Sequence, residues 1–181
     1  MISHSIMFHH FHNENHPISQ GSISAEKFEE VIDWLSINFN LIDAHNYSKK
    51  IKENNLDDKD ICLSFDDSLL CQYDIAYPIL KYKKINAFFF IYSSPFNNEI
   101  NFLEIFRYFR TVNFKQIDEF YDQFFSIIKN EDLDLYKKNF SIFKKVKYLS
   151  SFKYYSFNDR WFRFLRDVVL KKNKYEKVMK D

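Results

Sequence analysis

The sequence predicts an α/β fold, a partial, distorted (β/α) barrel followed by a helix-rich C-terminal region. Short apolar runs alternate with helical patterns over the first half of the chain, and the second half shows helical periodicity with little strand signal. Strands are expected near residues 5–11, 40–43, 61–65 and 87–92. We therefore expect an α/β portion over residues 1–98 and a helical insertion or cap of the same domain over residues 99–181.

Length and composition bound the class of protein. A chain of 181 residues suits one domain with a sizeable core, and a net charge of +1 gives no global attraction to polyanions. The aromatic share of 20% is high, and the chain has a single Gly. The abundance of Lys, Asn, Ile, Phe and Tyr suggests an A+T-rich genome, which explains the aromatic excess without a functional cause.

The same composition bears on location and redox state. No run approaches the length of about 18 apolar residues that suggests a membrane span, and the N-terminus lacks a basic region followed by a long apolar core. A cytoplasmic protein without a signal peptide is therefore expected. Cys62 and Cys71 are too far apart for a Cys-x-x-Cys site, so we expect both to be reduced and structural.

The α/β portion is organised around residues 61–65 and the two carboxylates, Asp66 and Asp67, that follow them. A compact apolar run that stops at a polar turn is typical of a buried strand, and catalytic groups collect after the carboxyl ends of strands in β/α folds. Neighbouring carboxylates repel, which favours a cation between them or a proton held on one. Asp is also a good helix N-cap, so both interpretations of the pair stay open at this point.

A helix with one apolar face is predicted to begin after the N-cap residue Ser24. Its apolar residues recur at three- and four-residue spacing and make one stripe: Phe28, Val31, Ile32, Leu35 and Phe39. Phe28 and Leu35 are expected to face the sheet.

Two later segments of the α/β portion have distinct expectations. A helix over residues 69–84 contains Pro78, which removes a backbone donor, so this helix is expected to be kinked or to start late. Residues 87–92 are continuously apolar, which predicts a strand buried on both faces.

Four histidines follow the first predicted strand: His9, His10, His12 and His16. Four imidazoles in eight residues can bind a metal. The favoured interpretation is a polar loop in which only one histidine matters, because spacing alone does not make ligands converge.

Beyond residue 98 the periodicity predicts four or five helices. The apolar stripes comprise Phe102, Ile105, Phe106 and Phe109, then Ile117, Phe120, Phe124 and Ile128, then Trp161, Leu165 and Val168. Residues 137–181 hold 14 Lys plus Arg against 4 Asp plus Glu. A basic, aromatic-rich end is compatible with nucleic-acid binding, but a solvated face packed against the acidic half is favoured, because no nucleic-acid fold motif accompanies it.

Residues 64–68, Ser-Phe-Asp-Asp-Ser, resemble the Thr-Phe-Asp-Asp-Gly motif of the NodB-homology polysaccharide deacetylases. Flanking segments are similar too, at residues 7–9, 23–30, 76–81 and 85–91. The resemblance covers residues 5–95 and is closest to the circularly permuted deacetylases that act on poly-N-acetylglucosamine. Ser68 stands where the motif has Gly, a change that leaves both carboxylates in place.

The resemblance implies a NodB-type barrel that removes N-acetyl groups from an amino-sugar saccharide or polysaccharide. It implies Asp66 as the general base, Asp67 as a metal ligand and His9, after the aromatic Phe8, as the catalytic acid. The implied cofactor is a divalent metal, zinc being the expected one. No nucleic-acid partner and no membrane span are expected.

One part of the family's metal site is missing from these residues. In the family a later His-x-x-x-His motif supplies two further ligands, and this sequence has no histidine after His45. Either the domain is cut short before that motif or the chain is a degenerate relative. Weak metal binding at Asp67 and little or no deacetylase activity are expected. The alternative functions are a non-catalytic, truncated or degenerate deacetylase-fold protein in carbohydrate interaction and, more remotely, a helical protein that contacts nucleic acid through its basic end.

Overall fold

The computed structural model describes residues 4–100 and 102–180. The chain divides into two units, Met1–Asn101 and Phe102–Asp181. The first unit is mixed α/β with a small parallel sheet, and the second is helical. The sequence predicted this change from α/β to helical structure after residue 98. That the helical part is an insertion or cap of one domain stays a prediction.

The sheet of the first unit has four parallel strands: β1 His4–Phe8, β2 Asn40–Leu41, β3 Asp60–Phe65 and β4 Phe88–Phe89. Strand β3 is central: β1 lies along one edge, while β2 pairs with the start and β4 with the end of its other edge. Every residue of β3 is buried, as a strand covered on both faces should be. The prediction of a buried strand at residues 61–65 is confirmed.

The helices of this unit begin and end where local chemistry dictates. They are α1 Ala25–Asn38, α2 Ala44–Lys52 and α3 Tyr77–Lys83, the last preceded by a π-helical turn over Gln72–Ala76. The Ser24 hydroxyl accepts from the backbone N–H of Lys27 and caps α1 as predicted. The chain is helical from Leu70, and Pro78 directly follows the π-helical turn, so the irregularity expected of this helix is a widened turn before Pro78 and not a late start.

Four aromatic rings form the core beneath the carboxyl ends of β1 and β3. Phe28 from α1 is fully buried, and its ring centroid lies 4.9 Å from Phe8, 5.0 Å from Phe11 and 6.0 Å from Phe65. Phe28, Ile32 and Leu35 are the buried residues of α1, which confirms that its apolar stripe faces inward.

Two strands are shorter than predicted. Strand β1 ends at Phe8 rather than residue 11, and Phe11 instead bridges to Ile23. The strand expected over residues 87–92 is reduced to β4, and Phe90 and Ile91 are 57% and 65% exposed, so the prediction of burial on both faces was wrong. The reason is its position: β4 pairs only with the last two residues of β3, and within the described ranges no strand pairs with its other edge.

The second unit contains five α-helices within residues 102–180, in agreement with the four or five predicted. They are α4 Phe102–Asn113, α5 Ile117–Glu131, α6 Leu133–Val146, α7 Phe157–Phe164 and α8 Lys171–Lys180, with a π-helical turn over Leu165–Leu170 between the last two. Its core is dominated by aromatic residues from α5, α6 and α7. None of the helices in the described ranges combines the length and apolarity needed to cross a bilayer.

Two of the three predicted helical stripes are only partly buried. Phe106 is buried and Phe102 packs against the core, whereas their stripe neighbours Ile105 and Phe109 are exposed. Trp161 and Leu165 are buried as predicted, but Val168 is exposed. The π-helical turn that starts at Leu165 adds one residue to each turn, which rotates Val168 out of the stripe.

Candidate active site

The parallel pairing of β1 and β3 brings the predicted site residues together. Phe8 lies opposite Phe65 in the register, so His9 and Asp66 leave the sheet side by side at its carboxyl end. His9 Nε2 lies 3.2 Å from Asp66 Oδ1. One ligand atom each from His9, Asp66 and Asp67 lie within 4.8 Å of one another. The roles of the three residues stay predictions, but their side chains meet.

A left-handed turn lets two consecutive carboxylates reach one histidine. In an extended strand, successive side chains point to opposite faces. Asp67 and Ser68 leave that conformation with φ angles of 64° and 52°. The left-handed region costs a residue other than Gly about 1–2 kcal/mol, and Ser68 occupies it where the resembling motif has Gly. The turn therefore keeps its shape without the glycine.

Gln72 connects the two backbone segments that carry the site. Its side chain is buried, and Nε2 donates to the carbonyl oxygen of His9 at 2.9 Å and to that of Asp66 at 2.6 Å. This residue was not identified from the sequence, where a single Gln in a helical segment carries no signal of its own. It ties β1 to β3 one residue beyond their last ladder pair, so it positions His9 against Asp66.

We expect Gln72→Leu to lower the free energy of unfolding by about 1–3 kcal/mol, because two carbonyl oxygens lose their shared donor. Urea unfolding followed by far-UV circular dichroism measures the change. Tyr73→Leu, at an exposed neighbouring position, is the matched control. A loss at Gln72 no larger than that of the control would show that the amide does not hold the two segments together.

Neither cysteine is part of the group of potential metal ligands. Cys62 and Cys71 are free and buried, as predicted. Burial raises the pKa of the Cys62 thiol to about 11, so it stays protonated at neutral pH and does not act as a thiolate ligand or nucleophile. Cys71 Sγ accepts a weak hydrogen bond from the backbone N–H of Phe11 at 3.5 Å, which helps to fix the chain just after His9.

The histidine cluster does not form a joint metal site. His12 Nδ1 lies 2.8 Å from Ser22 Oγ, and His16 Nε2 lies 2.8 Å from Asp74 Oδ2. Among the described residues, the histidine that belongs to a group of three potential metal ligands is His9, together with Asp66 and Asp67. The favoured interpretation, a polar loop in which one histidine matters, agrees with this arrangement.

Asp66 and Asp67 lie just before the helical stretch that begins at Leu70, so the metal-site and the capping interpretations of the pair both stay predictions. Asp66 Oδ1 is buried and has no hydrogen-bond donor, since the nearby His9 Nε2 does not meet it with hydrogen-bond geometry. The His9 and Asp66 side chains are 39% and 29% exposed, so the site is open to a ligand from solvent.

Comparison with solved structures finds a likeness to part of this chain. No protein-family model matches the chain, and the curated proteins contain no match to it. A solved structure of a de-N-acetylase from Aggregatibacter actinomycetemcomitans is similar, with 25% sequence identity over 54% of this chain and a TM-score of 0.42. The similar region spans 40% of that protein's chain.

Proposed function

We propose that the site belongs to a metal-dependent hydrolase that removes N-acetyl groups from amino-sugar saccharides, on a partial NodB-type barrel. The observation that supports it is the meeting of His9, Asp66 and Asp67 within 4.8 Å at the carboxyl end of the sheet. The substrate class comes from the motif at residues 64–68 and its flanks, which resemble those of the polysaccharide deacetylases.

The donor set fits a divalent metal of the zinc class. Carboxylate oxygen and imidazole nitrogen are both zinc ligands, and Asp66 Oδ1 is a buried oxygen without a hydrogen-bond donor. Asp67 is the residue that the resemblance assigns to the metal. When bound, the metal supplies Lewis-acid polarisation of the acetyl carbonyl and makes a nearby water more acidic.

The protein's own residues then have two proton transfers to perform. The Asp66 carboxylate takes a proton from the water whose oxygen bonds to the acetyl carbon. His9 donates a proton to the amine nitrogen as the carbon–nitrogen bond breaks, which releases acetate and a free amine. The distance of 3.2 Å between His9 Nε2 and Asp66 Oδ1 supports this assignment, because two groups so close together can act on one acetyl group.

Turnover by these 181 residues is expected to be slow. The sequence has no histidine after His45, so the two ligands that the resembling family takes from a later motif are missing. With Asp67 as its only protein ligand, a metal would bind weakly.

We expect acetate release from an N-acetylglucosamine oligomer to be slow with added zinc, cobalt or nickel, and to be abolished by Asp67→Asn. Asp58→Asn, which changes an exposed carboxylate elsewhere in the same unit, is the control and should leave the rate unchanged. Release that persists in Asp67→Asn would remove the carboxylate from the mechanism. Fast acetate release by the unaltered chain that Asp67→Asn abolishes would support the assignment of the site. It would also show that the missing histidines are dispensable.

A non-catalytic role in carbohydrate interaction is the second candidate, and the missing histidines favour it. In that case the oligomer binds and no acetate is released at any metal concentration. Equilibrium binding of the oligomer, measured beside acetate release on the same sample, separates the two functions.

A further inference from the structure

His9 lies close enough to both carboxylates to share a metal ion with them. Two atoms bound to one tetrahedral zinc at about 2.0–2.2 Å lie about 3.3–3.6 Å apart. The ligand atoms of His9, Asp66 and Asp67 lie within 4.8 Å of one another. The His9 Nε2–Asp66 Oδ1 pair, at 3.2 Å, already has about this spacing, and side-chain rotations of about 1 Å suffice to bring the Asp67 carboxylate to the same ion.

The backbone already holds these side chains in place. The register of β1 against β3 and the amide of Gln72 fix His9 beside Asp66, and the left-handed turn at Asp67 brings the second carboxylate to the same side. A site held by paired strands loses little conformational freedom when it binds its ligand.

The electrostatics of the group call for a cation. Two adjacent carboxylates repel each other, and Asp66 Oδ1 is buried without a hydrogen-bond donor. An unsatisfied buried acceptor is unfavourable, and a bound cation satisfies it directly. Since His9 Nε2 already lies 3.2 Å from this oxygen, it can supply the nitrogen ligand.

The other histidines of the loop are engaged elsewhere. His12 is paired with Ser22 and His16 with Asp74, each at 2.8 Å. We infer that His9, Asp66 and Asp67 together form a three-ligand site for a divalent cation of the zinc class, with His9 as a metal ligand through Nε2. One imidazole and two carboxylates suit Zn²⁺ or Co²⁺ better than Mg²⁺, which takes oxygen ligands.

This ligand set competes with the acid and base roles given above, and it rests on the proposed function only for the chemistry at the site. An imidazole nitrogen that binds a metal has no proton to give at that atom. Asp66, as a ligand, is likewise less able to accept a proton. As metal ligands, His9 and Asp66 replace the missing histidines but no longer serve as acid and base. The chain therefore keeps its metal while hydrolysis is slow.

The affinity of the full chain for Zn²⁺ and Co²⁺, measured by competition with a chromophoric chelator, tests the inference. His9→Ala should weaken binding at least about 10–100-fold, since even the loss of a residue that only orients a ligand has an effect of this size. Asp67→Asn should have a similar effect. His12→Ala is the matched control and should bind as tightly as the unaltered chain, and Mg²⁺ should compete poorly.

Two further measurements keep the outcome interpretable. Unfolding in metal-free buffer checks that His9→Ala is folded, and nuclear magnetic resonance of the imidazole protons should show Zn²⁺ shifting one histidine, whose signals are absent in His9→Ala. Unchanged affinity in His9→Ala, or no binding by the unaltered chain, overturns the inference. Metal binding that depends on His9 without any acetate release overturns the proposed hydrolase function and leaves the metal site standing.

Discussion

Phe28→Ala is expected to lower the free energy of unfolding by about 3–5 kcal/mol, the range for removing a buried Phe ring. The ring is 0% exposed and meets Phe8, Phe11 and Phe65 edge-on, so its loss leaves a cavity between α1 and the sheet. Edge-to-face contacts between aromatic rings contribute beyond the area that they bury. Urea unfolding followed by far-UV circular dichroism gives the value.

The same helix provides the control for this prediction. Ile37 lies on the opposite face of α1 and is 83% exposed, so Ile37→Ala should change the free energy of unfolding by less than about 0.5 kcal/mol. If Phe28→Ala also cost less than about 1 kcal/mol, the ring would not be part of the core.

Local patterns predicted the parts of the fold that local chemistry determines. The stripe of α1 follows from the spacing of Phe28, Ile32 and Leu35, and its start follows from the hydroxyl of Ser24. The buried strand before Asp66 follows from a short apolar run that ends at charge. Each of these signals lies within a few residues of the feature that it predicts.

Features that depend on pairing or on helix geometry could not be predicted in this way. Residues 87–92 are apolar enough for a central strand, but only pairing decides that β4 is short and lies at an edge of the sheet. Val168 has the right spacing for the α7 stripe, and the π-helical turn that moves it to the surface leaves no trace in the periodicity.

The candidate site was predictable only in part. Asp66 and Asp67 stand out as adjacent carboxylates, whereas His9 was assigned through a family resemblance and not through its own surroundings. The parallel register of β1 and β3 supplies the missing reason, because it joins segments far apart in sequence at one end of the sheet. Gln72 and the left-handed turn at Asp67 depend on that same pairing, so no single segment of sequence reveals them.

Trp161→Ala is expected to have an effect as large as Phe28→Ala, but in the helical unit. The indole, on α7, is 1% exposed and packs against aromatic rings of α5 and α6, with centroid distances of 5.1 Å to both Phe140 and Phe143 and 6.3 Å to Phe125. Its Nε1 also donates to the hydroxyl of Tyr136 at 3.0 Å. Truncation removes the ring that joins α5, α6 and α7 and deprives that hydroxyl of its donor, which predicts a loss of about 3–5 kcal/mol.

The chain's other tryptophan is a matched control for this change. Trp34 is 57% exposed on α1, and its ring contacts Phe39 with a centroid distance of 5.8 Å. Trp34→Ala deletes the same atoms from a position that water already reaches, so it should cost less than about 1 kcal/mol. Equal losses in the two variants would mean that the indole of Trp161 does not hold the helices together. A large loss in Trp161→Ala but a small one in Trp161→Phe would assign the stability to ring packing, because Phe keeps a ring in the core and removes the donor to Tyr136.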